Sequence, residues 1–206
     1  MGDVFALARL LGDVRGKRVV ELGCGQGSRI VELARAGASV ITVDPSADAV
    51  HAARRLAEHA EVRIEVHTGD FADLAFLRGD SVDVAFADGT LAGLADLSRV
   101  FRQVQRVLRA GAWFAFSLPH PVSLCVDAAR EPEGSLPLAR PFIGRSYFDS
   151  EPVDGEFPHP IAEVFAALSR VGFRVDTILE PEPAAGVRGR ALIPDTIIWR
   201  ARKVGS

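Results

Sequence analysis

An apolar run, Arg18-Val19-Val20-Glu21-Leu22, passes straight into three alternating glycines, Gly23-Cys24-Gly25-Gln26-Gly27, and then into residues with helical periodicity. The run is short and β-branched, so it reads as a buried strand. The glycines allow left-handed torsions and bring the backbone close to whatever lies beyond the strand end. From Ser28 onward Ile30, Val31 and Ala34 share one helical face, with Gly37 as the stop. A strand that turns on glycines into a helix is the opening of a βαβ unit.

The unit repeats. A short helix from Val4 to Leu11 is expected before the first strand. Ser39 to Val43 is a β-branched strand ending at Asp44, and a helix from Ala47 to His59 follows. Val62 to Val66 alternates as a third strand, ending before Gly69-Asp70, and Val82 to Phe86 reads as a fourth. Leu94, Leu97, Val100, Phe101, Val104, Val107 and Leu108 form one apolar stripe, which Ala110-Gly111 breaks before a fifth strand from Trp113 to Leu118. Five strands alternating with helices predict a parallel sheet covered on both faces.

Eight of the twelve prolines fall between Pro119 and Pro160, which predicts an irregular insertion with a short element near Phe142 to Phe148. A helix from Ile161 to Arg170 resumes the regular structure. Two late strands, Phe173 to Leu179 and Thr196 to Ala201, are too close for a helical crossover and should pair antiparallel. The expected fold is α/β and Rossmann-like: a doubly wound, mostly parallel seven-stranded sheet with an antiparallel last strand. Residues 1–206 read as a single domain, with the proline-rich insertion at about 119–160 as a substrate lid.

A chain of 206 residues is long enough to bury a core without covalent staples. Its net charge of −3 and pI near 6.0 supply no field that gathers nucleic acid or acidic lipid. No apolar run reaches the roughly 18 residues a membrane span needs. The N-terminus lacks a secretion signal, and Ala6 stands where a myristoylation motif wants Ser or Thr. Cys24 and Cys125 read as reduced thiols, so a cytoplasmic setting is expected. The partners expected are a small-molecule substrate and a second copy of the chain, with no nucleic acid, membrane or metal.

In open parallel sheets, ligands collect beyond the carboxyl ends of the strands. Those ends carry Gly23, Gly25 and Gly27, then Asp44, then Asp70, then Asp88. An acid about twenty residues after the glycines is placed to accept hydrogen bonds from a ribose diol. Nicotinamide-dependent oxidoreductases use a related fingerprint, G-x-G-x-x-G, whose third small residue would be Ser28; here the spacing is G-x-G-x-G. Glu21 also precedes the glycines where those enzymes place an apolar residue, and its carboxylate suits a cationic ligand better than a pyrophosphate.

The stretch from Val19 to Gly27 resembles the first motif of the class I S-adenosylmethionine-dependent methyltransferases, in their small-molecule, type 11/25-like branch. Val43-Asp44 resembles the ribose-binding motif and Gly69-Asp70-Phe71 the adenine-reading turn. Arg106 to Gly111 is similar to the turn after the long helix, with Ala110 and Ala112 replacing the usual Pro and Gly. Phe116-Ser117-Leu118-Pro119-His120-Pro121 resembles the segment after strand five. The resemblance implies S-adenosylmethionine as cofactor and S-adenosylhomocysteine as product. It implies cofactor contacts at Glu21, Gly23, Cys24, Gly25, Asp44, Pro45, Asp70, Phe71, Ala87 and Asp88, with Arg29 either at the cofactor carboxylate or solvated.

Methyl transfer from a sulfonium depends mostly on positioning, and a base assists an oxygen nucleophile. His120 and His159, each in a Pro-His-Pro frame, and Tyr147 are the candidates, against a loop-fixing reading for His120. Phe142, Tyr147, Phe148 and Phe157 offer an aromatic roof for a specialised metabolite. His51, His59 and His67 read as surface or strand-end residues. A descendant of the fold that binds the cofactor without methylating, as scaffold or cyclase, is the alternative to a methyltransferase.

Overall fold

A computed structural model of the chain describes residues 10–25, 27–125, 144–182 and 193–205. The strands are β1 (Arg18–Leu22), β2 (Ser39–Asp44), β3 (Ile64–Thr68), β4 (Val82–Asp88), β5 (Leu108–Pro119), β6 (Phe173–Leu179) and β7 (Thr196–Lys203). The helices are α1 (Ser28–Arg35), α2 (Ala47–His59), α3 (Ser98–Val107) and α4 (Ile161–Arg170), with a 3-10 turn at Ser123–Cys125. The strand order is β3-β2-β1-β4-β5-β7-β6. β1 lies parallel between β2 and β4, and β5 continues the parallel set. β7 inserts antiparallel between β5 and β6, so the two late strands pair with each other and β7 also joins the rest of the sheet.

The central strands are apolar on both faces, as a sheet covered on both sides requires. On one face Phe101 of α3 meets Phe114 and Phe116 of β5 at ring-centroid distances of 6.1 and 5.3 Å, and Trp199 of β7 stacks on Phe116. On the other face Leu10, Leu11, Ile30, Val50 and Ala53 cover Val19, Val40, Val84 and Phe86. Leu10 and Leu11 are helical and buried; the rest of the expected first helix lies outside the described residues.

Several element ends differ from expectation for local reasons. The amide of Val62 bonds back to the Ala57 carbonyl at 3.0 Å and Glu61 takes φ +56°, so the turn after α2 keeps Val62 and β3 starts at Ile64. Asp96 Oδ1 accepts the Ser98 amide at 2.8 Å, which opens α3 at Ser98 and leaves Leu94 in the preceding turn. β5 begins at Leu108, paired with Val82, and the irregularity before Trp113 absorbs residues 109–112. Ala110-Gly111 therefore bends a strand. Residues 144–160 form turns and one isolated bridge, Val153 to Glu156; Phe142 lies outside the described residues. Among the described residues no helix is long and apolar enough to cross a membrane.

Candidate functional site

Gly23, Gly25 and Gly27 have φ of +99°, +49° and +79°, the left-handed region that side chains disfavour. Gly23 is required for a second reason. A Cβ there would lie 2.2 Å from Thr90 Cγ2, and Thr90 is pinned by its hydroxyl, which donates to the Leu22 carbonyl at 2.5 Å. The turn is locked to β2 by Asp44, whose Oδ2 accepts the Cys24 amide at 2.9 Å and whose Oδ1 accepts the Ser46 amide at 2.8 Å. Asp44 is buried, yet each carboxylate oxygen retains a lone pair for a further donor. Pro45 beside it is exposed. The Cys24 side chain packs inward, its sulfur accepting the Thr42 hydroxyl at 3.5 Å, and burial pushes its thiol above the ordinary range.

One strand layer deeper, Glu21 is 4% exposed and its Oε2 has no hydrogen-bond partner among the described residues. Desolvation pushes its carboxyl up to about 8; the Arg29 guanidinium lowers it, and Asp88 and Asp44 raise it further. Arg29 is committed elsewhere, with Nη2 2.5 Å from Asp88 Oδ2, while its Nη1 is buried and has no partner among the described residues. Asp88 Oδ1 accepts the Ser117 hydroxyl at 2.7 Å, and Ser117 Oγ in turn accepts the Gly89 amide at 2.8 Å. Arg29 at the start of α1, Asp88 of β4 and Ser117 of β5 thus form one hydrogen-bonded cluster. Among the described residues, Glu21 of β1 brings an open carboxylate oxygen to it and Arg29 an open guanidinium nitrogen. Arg29 is engaged here and is not solvated.

At the end of β3, Phe71 is buried, and exposed Asp70 accepts the Ala72 amide at 2.8 Å in a turn. Ala87 is fully buried. On the other side of the sheet end, His120 is buried: Nδ1 accepts the Val122 amide at 3.2 Å and Nε2 lies 3.0 Å from Glu180 Oε1. Its own amide donates to the Asp195 carbonyl at 2.8 Å. His159 lies just before α4, and Tyr147 Oη accepts the Ile161 amide at 3.1 Å. The segment carrying them rests on the loop after β4, the Phe157 amide donating to the Ala92 carbonyl at 2.8 Å. Among the described residues no group of three or more His, Cys, Asp or Glu is arranged to hold a metal ion.

Thr90 and Asp195 are not singled out by sequence reasoning. Ser117 lies inside the family-like segment after strand five, and Glu180 ends a late segment, from Gly172-Phe173, that also resembles the family. Neither position signals its partner, because both partners arrive from other strands.

A family model described as a methyltransferase domain matches residues 20–116. The magnesium-protoporphyrin O-methyltransferase of Rhodobacter capsulatus is 43% identical over 77 residues, 37% of this chain and 34% of that protein. The ubiquinone biosynthesis O-methyltransferase of Azorhizobium caulinodans is 33% identical over 96 residues, 47% of this chain and 38% of its own length. The chain thus spans between about 33% and 55% of the length of the curated relatives it matches. A crystal structure of an S-adenosylmethionine-dependent methyltransferase from Mesorhizobium loti superposes with TM-score 0.80 and 26% identity over 96% of both chains. Sheet order, glycine turn and matched segment agree: the chain has the fold of the class I S-adenosylmethionine-dependent methyltransferases and a segment that matches their domain.

Proposed function

We propose that this chain transfers a methyl group from S-adenosylmethionine to a small-molecule acceptor. The observation that carries the reading is that, among the described residues, buried Glu21 Oε2 and Arg29 Nη1 both lack a partner. A carboxylate oxygen and a guanidinium nitrogen, both desolvated and both open, complement the ammonium and carboxylate of an amino acid. A pyrophosphate would meet a repelling carboxyl in the same place, which disfavours a nicotinamide cofactor.

In this reading Glu21 holds the cofactor ammonium and Arg29 its carboxylate, with Asp88 fixing the guanidinium. Gly23, Cys24 and Gly25 give the backbone its close approach. Asp44, beside Pro45, takes the ribose hydroxyls on its remaining lone pairs. Asp70 and Phe71 receive the adenine, and Ala87 lines the methionine end. When bound, the cofactor supplies an electrophilic methyl carbon. The protein's task is then to place the acceptor atom in line and exclude water. Of the three groups expected at the acceptor side, His120 has both ring nitrogens engaged within the protein, and His159 and Tyr147 are the ones proposed there.

The lid reading of residues 119–160, of which 126–143 lie outside the described residues, is part of the proposal, supported by the hydrogen bond from the Phe157 amide to the Ala92 carbonyl in the loop after β4. An acceptor from specialised metabolism is supported by Tyr147, Phe148 and Phe157 on that segment. A cytoplasmic setting is supported by two buried free thiols. A second copy of the chain as partner is part of the proposal; a monomer mass in light scattering would remove it. Thermal unfolding tests the cofactor directly. S-adenosylhomocysteine at a hundredfold excess over Kd should stabilise the chain by about 2.7 kcal/mol, and NADH should not. The reverse result would overturn the proposal.

A further inference from the structure

The two Pro-His-Pro segments look alike in sequence, but the fold uses their imidazoles differently. Both ring nitrogens of His120 are engaged: Nδ1 accepts from Val122 and Nε2 donates to Glu180. Its carbonyl also accepts the Ser123 hydroxyl at 2.7 Å and the Ser123 amide at 2.9 Å. That ring has no lone pair left for a substrate. His120 is a positioning residue, tying the exit of β5 to the end of β6 and the approach to β7.

His159 is the opposite case. Its Nε2 is buried and has no partner among the described residues. Burial holds the ring below the ordinary imidazole range, against the opposing pull of the Leu94 backbone and of Glu163. The ring is thereby held toward its neutral form, and the tautomer protonated on Nδ1 puts a bare lone pair on the buried Nε2. A buried polar atom without a partner costs about 1–3 kcal/mol, and native structures seldom retain one without a use. The location fits a use. Phe157, two residues before His159, donates its amide to Ala92 in the loop between β4 and α3, and Thr90 of that loop packs against the glycine turn. Tyr147 is anchored at the same helix start: its oxygen accepts the Ile161 amide, which leaves its own proton to donate.

We infer that His159 Nε2 is the proton acceptor for a hydroxyl-bearing acceptor substrate, with the Tyr147 hydroxyl as a neighbouring donor. The inference rests on the proposed methyl transfer. The substrate oxygen forms a bond to the methyl carbon as its proton passes to Nε2. The carbon–sulfur bond breaks, and its electron pair stays on sulfur. A sulfonium, a neutral alcohol and a neutral imidazole become a thioether, a methyl ether and an imidazolium. A neutral amine nucleophile already presents its lone pair and has no need of this acceptor; an oxygen nucleophile gains from it.

The test uses histidine-15N-labelled protein saturated with S-adenosylhomocysteine, phenol as the hydroxyl probe and aniline as the amine control. At pH 7 His159 should appear neutral and protonated on Nδ1. Phenol should move its Nε2 resonance, leave that of His120 in place, and act more strongly than aniline. His159→Phe should bind phenol about threefold to tenfold more weakly, the worth of one neutral hydrogen bond, with S-adenosylhomocysteine affinity retained. A response at His120 instead, a stronger response to aniline, or no response to phenol at either ring would overturn the inference. Failure of S-adenosylhomocysteine to bind at all would sink the methyl-transfer reading, which separates the two outcomes.

Discussion

Glu21 departs furthest from the behaviour of its side chain in water. Its carboxyl titrates near 8 in the fold against 4.5 in the unfolded chain, because desolvation outweighs an Arg29 already bound to Asp88. A raised acid favours the folded state while protonated. That contribution is intact below 4.5 and is lost as pH climbs through about 8. Cofactor affinity should run the other way, since an ammonium rewards the ionised form. In calorimetric titrations between about pH 6 and 9, binding of S-adenosylhomocysteine should tighten up to about pH 8, and the Glu21→Gln variant should show a flatter profile. Asp44 behaves differently. It already accepts two backbone amides, so Asp44→Asn replaces one acceptor oxygen by a donor and sets it against an N–H. Loss of about 2 kcal/mol or more of cofactor affinity is expected; unchanged binding would contradict the ribose placement.

Among the elements, α3 and β5 carry the densest packing. Phe101 is fully buried against Phe114 and Phe116, and Phe101→Ala should cost about 3–5 kcal/mol in urea unfolding. These elements also show what sequence could and could not disclose. The apolar stripe of α3 and the strand ends bearing Gly23, Asp44 and Asp70 were legible, because periodicity and strand-end chemistry are local. The start of β5 was not. Leu108 satisfies both the helical stripe and the strand, and its pairing with Val82 decides between them. Nor could the two histidines be told apart by their flanking prolines. Glu180, sixty residues from His120, makes the difference, and only the placement of β7 between β5 and β6 brings them together.

For the molecule as a whole, the two tryptophans test whether the chain is one cooperative unit. Trp113 lies on the α1 and α2 side beneath Lys17 and Arg202, while Trp199 lies on the α3 side against Phe116. Fluorescence of Trp113→Phe and of Trp199→Phe should each unfold at the midpoint that circular dichroism gives for the same variant. Separate transitions would divide the chain into two units. The open oxygen of Glu21 has a consequence at this scale too. A protein that shelters an acid for an absent cation is less robust when empty than its architecture permits. Glu21→Met should withstand more heat than the parent yet hold no cofactor. Selection of variants for endurance alone would therefore discard the enzyme and keep the scaffold.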